Sequence, residues 1–261
     1  MTQASLDALD AQLRAEVRAE PRVMAALAYG SRTRRPGVIR HDDEHSDLEY
    51  YVYLHPGAHL GADELVERAT PVVLAVVNPF GTPNFVTPEL HRIELHVAEL
   101  DRLPDILGWP SSASDPARML VKDAGGMLAL LLSRLSARPD WAPEAAQTTF
   151  DQLLNGLVAV RGFLARGERL RAYEELTSWG VVGNLIRLAR HAEAADQPRA
   201  ATRRAEHDLS ASIRDELNAV AVGVADLEVG YAAALRLAEA LAYGLGLDAR
   251  SELLKALRQA Y

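Results

Sequence analysis

The sequence predicts an α+β chain: a mixed sheet with flanking helices, followed by a C-terminal helical bundle. Three observations carry this. Short apolar or alternating runs punctuate the first half, separated by turn residues and amphipathic stretches. A breaker-rich stretch, Arg138-Pro139-Asp140-Trp141-Ala142-Pro143, interrupts the chain at its middle. Beyond it the apolar residues recur almost wholly at helical spacing, which implies an antiparallel bundle. The expected division is therefore residues 1–137 and residues 138–261.

Leu6, Leu9, Leu13 and Val17 repeat at helical spacing within Met1 to Glu20, so the chain opens on an amphipathic helix. Val23 to Tyr29 is apolar and short, and reads as a buried strand closed by Gly30-Ser31. A second strand runs from Asp47 to Leu54, and a helix is expected from Gly61 to Ala69. Pro71 to Val77 is apolar and β-branched, and Asn78 to Pro83 is rich in turn residues. His91 to Val97 alternates, placing Arg92, Glu94 and His96 on one face and Ile93, Leu95 and Val97 on the other. Met119 to Asp123 is a short strand ending at Gly125-Gly126. Pro143-Glu144 suits a helix start. Leu153, Leu157, Val160 and Leu164, then Leu235, Ala238, Leu241 and Leu245, give helical stripes in the second half.

Composition limits the functions available. The chain has 261 residues, 49% of them hydrophobic and 25% charged, as in an ordinary globular protein. Its formal net charge of −8 disfavours a sequence-independent grip on nucleic acid, which needs Lys and Arg on phosphates. There is no cysteine, which excludes disulfides, thiolate zinc sites and a thiol nucleophile. The amino terminus lacks the apolar core of a signal peptide. Gly126 to Leu132 falls short of the roughly 18 apolar residues of a membrane span. A cytoplasmic location without membrane or nucleic-acid partners is expected.

The candidate chemistry lies at the end of the first strand. The Gly30-Ser31 turn presents backbone N–H groups and a hydroxyl to an anion such as phosphate. Asp47 and Glu49, two residues apart on a strand, point the same way. Two carboxylates beside an anion-holding turn form a place to clamp Mg²⁺ against a nucleoside triphosphate. Glu94, in mid-strand, is the third carboxylate expected on that sheet face. Asp42, Asp43 and Glu44 read as solvated loop carboxylates. His41 and His45 lack a third metal ligand, and His55, His59 and His91 read as surface residues. Arg199, Arg203 and Arg204 read as a solvated basic face. Tyr51 and Tyr53 share the carboxylate face, with packing as their expected role.

Tyr29-Gly30-Ser31, Ser46-Asp47-Leu48-Glu49-Tyr50-Tyr51 and Ile93-Glu94-Leu95-His96, in that order, resemble the polymerase-β-like nucleotidyltransferases. More narrowly, the chain resembles the lincosamide nucleotidyltransferases nearly end to end. Leu120-Val121-Lys122-Asp123, Arg166-Gly167-Glu168 and Leu185-Ile186-Arg187 also have counterparts there. The resemblance implies Asp47, Glu49 and Glu94 as catalytic residues and ligands of two Mg²⁺ ions, with Glu94 as general base. It implies Gly30, Ser31, Arg34, Lys122 and Asn155 at the nucleotide, Arg34 as a cation against its β- and γ-phosphates. ATP or another nucleoside triphosphate would be co-substrate and a lincosamide such as lincomycin or clindamycin the acceptor, conferring resistance. A homodimer sharing the pocket is compatible with it. The alternatives are an aminoglycoside acceptor, or an antitoxin-like enzyme acting on a protein or tRNA. The stretch Arg32 to Ser46 is longer and denser in charge than in those resistance enzymes.

Overall fold

A computed structural model describes residues 2–33, 43–79, 81–109, 114–136, 143–195 and 201–259. The chain forms two compact units, Met1–Asp140 and Trp141–Tyr261. The first holds a mixed sheet with helices on both faces, and the second is helical, so the α+β class is what the chain adopts.

In the first unit, helix α1 (Gln3–Ala19) begins at Thr2, whose hydroxyl accepts from the Ser5 N–H at 3.2 Å. Its four apolar stripe residues are all buried. Strand β1 (Val23–Tyr29) is followed by β2 (Leu48–Leu54), α2 (Ala62–Ala69), β3 (Leu74–Val77), β4 (Pro83–Val86) and β5 (Arg92–Glu99). A 3₁₀ segment (Leu100–Gly108), a short α3 (Pro116–Met119), β6 (Leu120–Asp123) and α4 (Met127–Ser136) complete it. The strand order is β3-β4-β5-β2-β1-β6. Strands β2 and β5 pair in parallel, and the other recorded pairs are antiparallel.

The alternation expected of β2 and β5 divides the sheet into two cores. Leu48, Tyr50, Val52, Ile93 and Leu95 face α1 and α2. Ala25, Leu27, Tyr29 and Tyr53 face the 3₁₀ segment and α4, together with Leu103, Ile106, Leu128 and Leu132. Several boundaries differ from expectation: β2 begins at Leu48 and not at Asp47, and β5 runs from Arg92 to Glu99 where His91 to Val97 is expected. The run from Pro71 is a strand only from Leu74, and all four residues of β3 are exposed on the sheet edge. Met119 ends α3 instead of opening β6. Strand β4 is not evident in the sequence at all: Pro83 and Asn84 are poor strand formers, and pairing with β3 and β5 on either side draws them in.

The second unit consists of α5 (Pro143–Ala165), α6 (Arg169–Thr177), a π-helical turn (Trp179–Gly183), α7 (Asn184–Ala192), α8 (Ala205–Asp208), α9 (Ala211–Val220), α10 (Leu227–Gly244) and α11 (Ser251–Arg258). One core joins them, with Phe150, Leu153, Leu157, Leu185, Leu188, Tyr231 and Leu241 among its members. Arg190 is fully buried there and satisfied by Asp208 at 2.7 Å, the Ala201 carbonyl at 2.8 Å and the Arg203 carbonyl. That pairing is what makes a buried guanidinium tolerable. Among the described residues no helix is long and apolar enough to cross a membrane.

Candidate active site

The turn after β1 depends on Gly30, whose φ of +85° is left-handed and open to glycine at little cost. Thr33 locks the turn: its N–H and hydroxyl both donate to the Gly30 carbonyl, at 3.2 and 2.8 Å. The Thr33 carbonyl in turn accepts from the Asp115 N–H at 2.7 Å, tying the turn to the start of α3. Ser31 is buried within it. Arg32 points back to α1, its guanidinium 2.6 Å from Asp7.

Backbone register assembles the carboxylates beside this turn. Glu49 pairs with Tyr29 across β1 and β2, and with Glu94 across β2 and β5. Two residues far apart in sequence thereby become lateral neighbours on one face, the face that also carries Tyr51 and His96. Glu49 reaches so close under the turn that a Cβ on Gly30 would lie 3.3 Å from its Oε2. Asp47 immediately precedes β2 instead of lying within it, and its side chain is 42% exposed against 19% for Glu94.

Each carboxylate has a holder that sequence reading did not identify. The Tyr51 hydroxyl donates to Glu49 Oε1 at 2.9 Å. The Tyr51 ring is itself gripped, stacked on His96 at 4.2 Å with 6° between planes and packed on Trp109 at 4.3 Å. Tyr29 closes the group edge-on to both Tyr51 and Trp109. Burial pushes the His96 imidazole pKa below its ordinary value. Arg92 spans the other two acids: Nη1 donates to Asp47 Oδ2 at 2.7 Å and Nη2 to Glu94 Oε1.

The donor set is chemically apt for Mg²⁺, a hard cation that takes carboxylate oxygens. The guanidinium bridging Asp47 and Glu94 marks the spot as one that draws positive charge. In the arrangement described, however, no three His, Asp or Glu side chains among the described residues converge as a ready metal cage. A divalent ion would be held by Asp47, Glu49 and Glu94 only after their side chains regroup.

Other expected site residues are placed elsewhere. Lys122 pairs with Ala26 across β1 and β6, and its Nζ donates to the Glu20 carbonyl at the end of α1, 2.6 Å away. Ala26 lies three residues, about 10 Å, along β1 from the Tyr29–Glu49 pair. The structure therefore does not bring Lys122 to the carboxylates. Asn155 is on α5 in the second unit, lining a cavity of ≈ 560 Å³ with Gln152, Glu175, Trp179, Asn184 and Arg187. There the Arg187 guanidinium lies 5.4 Å from the Trp179 ring centre, and burial lowers its pKa. Arg34, His41, Asp42 and Arg199 lie outside the described residues. Asp43 accepts from the His45 N–H at 3.0 Å, a loop-closing role. His91, expected at the surface, is buried with Nε2 2.8 Å from Ser5 Oγ, because the first turn of α1 covers it.

Compared with known proteins, the chain matches no family model and no curated protein. Among solved structures it is similar to an aminoglycoside 6-adenyltransferase from Bacillus subtilis, at 11% identity and a TM-score of 0.42. That similarity covers 97% of this chain and 96% of the other. It is also similar to a nucleotidyltransferase-like protein from Exiguobacterium sibiricum 255-15, at 14% identity and a TM-score of 0.43, over 92% of this chain and 77% of that one. At these values neither similarity assigns the chain to a family.

Proposed function

We propose that this protein is a metal-dependent nucleotidyltransferase that moves a nucleoside monophosphate from ATP or another nucleoside triphosphate to a hydroxyl of a small antibiotic. The observation carrying this reading is the register that sets Glu49 beside Glu94, at the foot of the left-handed Gly30-Ser31 turn. With it stands the sequence resemblance that runs through the same residues.

In the proposed reaction the acceptor oxygen bonds to the α-phosphorus, the bond from that phosphorus to the bridging oxygen breaks, and pyrophosphate leaves. Mg²⁺ held by Asp47, Glu49 and Glu94 would neutralise the triphosphate and acidify the acceptor hydroxyl. Glu94 takes the acceptor's proton. The Gly30-Ser31 turn cradles the phosphates. Tyr51 orients Glu49 by donating to its Oε1.

For the acceptor we infer a sugar hydroxyl of a lincosamide. A polycationic aminoglycoside, the rival acceptor, calls for several carboxylates. The sequence resemblance, which runs nearly end to end, favours the lincosamide. The test is a panel of lincomycin, clindamycin and aminoglycosides incubated with protein, Mg²⁺ and ATP, read by mass spectrometry. An added AMP on a lincosamide is expected, and an aminoglycoside product alone would replace the acceptor class. Nucleotide addition to tRNA or protein, with no drug modified, would leave only the transfer chemistry standing.

A further inference from the structure

The side chain of Arg92 carries an inference beyond the three acids. It belongs to β5, two residues before Glu94, and all three of its hydrogen-bonding corners are engaged. Nε donates to Asn84 Oδ1 at 3.0 Å, Nη1 to Asp47 Oδ2 at 2.7 Å, and Nη2 to Glu94 Oε1. Asn84 is 3% exposed, and its amide nitrogen donates to the Thr82 carbonyl at 3.0 Å. That bond turns the Asn84 carbonyl towards Arg92. The guanidinium is therefore aimed by a fixed, buried partner on β4, which sets it apart from a surface arginine that happens to meet an acid.

We propose that Arg92 is a positioning residue that serves as the internal counter-ion of the carboxylate cluster and competes with the divalent cation for Asp47 and Glu94. This rests on the nucleotidyltransferase reading. The oxygens that Arg92 occupies are ones a metal would take, and a guanidinium and a divalent ion cannot both sit between them without strong repulsion. Metal entry thus requires Arg92 to give up the two acids. Two consequences follow. The acids are kept from repelling one another before metal arrives, and the affinity for metal is set lower than the carboxylates alone would make it. A metal that binds more tightly when nucleotide comes with it suits an enzyme that must release pyrophosphate.

The test uses the full chain with Mn²⁺ as probe, free ion being counted by electron paramagnetic resonance with and without ATP. Arg92→Gln should bind Mn²⁺ roughly tenfold more tightly than wild type, since it removes a competing charge pair. It should also melt at lower temperature in EDTA and recover with saturating Mn²⁺, where a merely structural arginine would leave a loss that metal does not repair. Arg92→Lys, whose ammonium cannot bridge both acids, should fall between the two and serves as the probe should the glutamine variant not fold. Unchanged or weakened Mn²⁺ binding in both variants would overturn the role of Arg92 and leave the proposed reaction intact. No Mn²⁺ binding in wild type or variants, even with ATP, would overturn both.

Discussion

Replacing Gly30 with alanine tests whether the turn and Glu49 form one mechanical unit. At φ +85° a β-carbon costs about 1–2 kcal/mol. Lower entropy of the unfolded chain returns roughly 0.5 kcal/mol, leaving a net loss near 1 kcal/mol. The added carbon would also lie 3.3 Å from Glu49 Oε2. Glu49 cannot simply swing aside, because its other oxygen accepts from Tyr51 at 2.9 Å. Breaking that bond costs about 1 kcal/mol more. Gly57 supplies the control: its φ is +74°, and a Cβ there meets nothing within 4 Å. We expect Gly57→Ala to lose about 1 kcal/mol and Gly30→Ala about 2 kcal/mol. The difference is about 3–4 °C in melting temperature for a unit of this size, read by calorimetry. Nucleotide transfer should fall about tenfold in Gly30→Ala alone, as Glu49 is displaced. Equal melting losses in the two variants, with transfer untouched in both, would refute the coupling of turn and carboxylate.

Asp47→Asn and Glu49→Gln should each reduce Mg²⁺-dependent transfer by roughly a thousandfold or more with the fold retained, measured by nucleotide incorporation beside circular dichroism. In Glu94→Gln turnover should collapse while calorimetry still detects binding of ATP with Mg²⁺; binding lost as well would move Glu94 to the nucleotide metal. Tyr51→Phe should lower transfer about tenfold and shift the melting temperature little, because it frees Glu49 without emptying the aromatic group around it. Glu20 is buried, and hydrogen bonds from Arg22 and Arg68 hold its carboxyl well below the usual range. Such a group stabilises the fold above its unfolded pKa and loses that contribution as pH falls. Glu20→Gln should therefore be less stable at pH 7 by about 2 kcal/mol, seen as a lower melting temperature, and the gap should close in acid scans below the ordinary carboxylate range.

Elements set by local pattern were legible in the sequence. Strand β1 has the span that its apolar run predicts, and β5 follows from its alternation although it starts one residue later and ends two residues later than His91 to Val97. The stripe of α1 appears as a buried stripe. What depends on pairing was not legible. Strand β4 has only four residues, two of them unsuited to strands, and exists because β3 and β5 flank it. His91 looks like a surface histidine until α1 is laid over it. Asp47, Glu49 and Glu94 could be chosen from the sequence by residue type and alternation. The reach of Arg92 to Asp47 could not, because it depends on the pairing of β2 with β5, and no local pattern encodes register between strands so far apart; the contacts of Tyr51 with Glu49 and of Arg92 with Glu94 join residues two apart on one strand face. The resemblance implies Lys122 at the nucleotide, yet the end of α1 claims its amine through the Glu20 carbonyl.

The parallel pairing of β2 with β5 has a consequence for how this protein can change. Glu49 and Glu94 sit opposite each other on one ladder, so their separation is a lattice constant of the sheet. Whatever joins the two strands, here α2, β3 and β4 with their turns, acts as a tether and not as a gauge. The exposed turns of that connection, the one around Gly57 among them, can lengthen or shorten without altering the spacing of the two acids. Evolution and engineering alike thus have a free hand over the exposed turns of this stretch, whereas the buried Leu65 and Val66 on α2 and Asn84 on β4 are held by their partners; the acid pair itself changes only if the ladder slips, and then by a whole residue and to the wrong face.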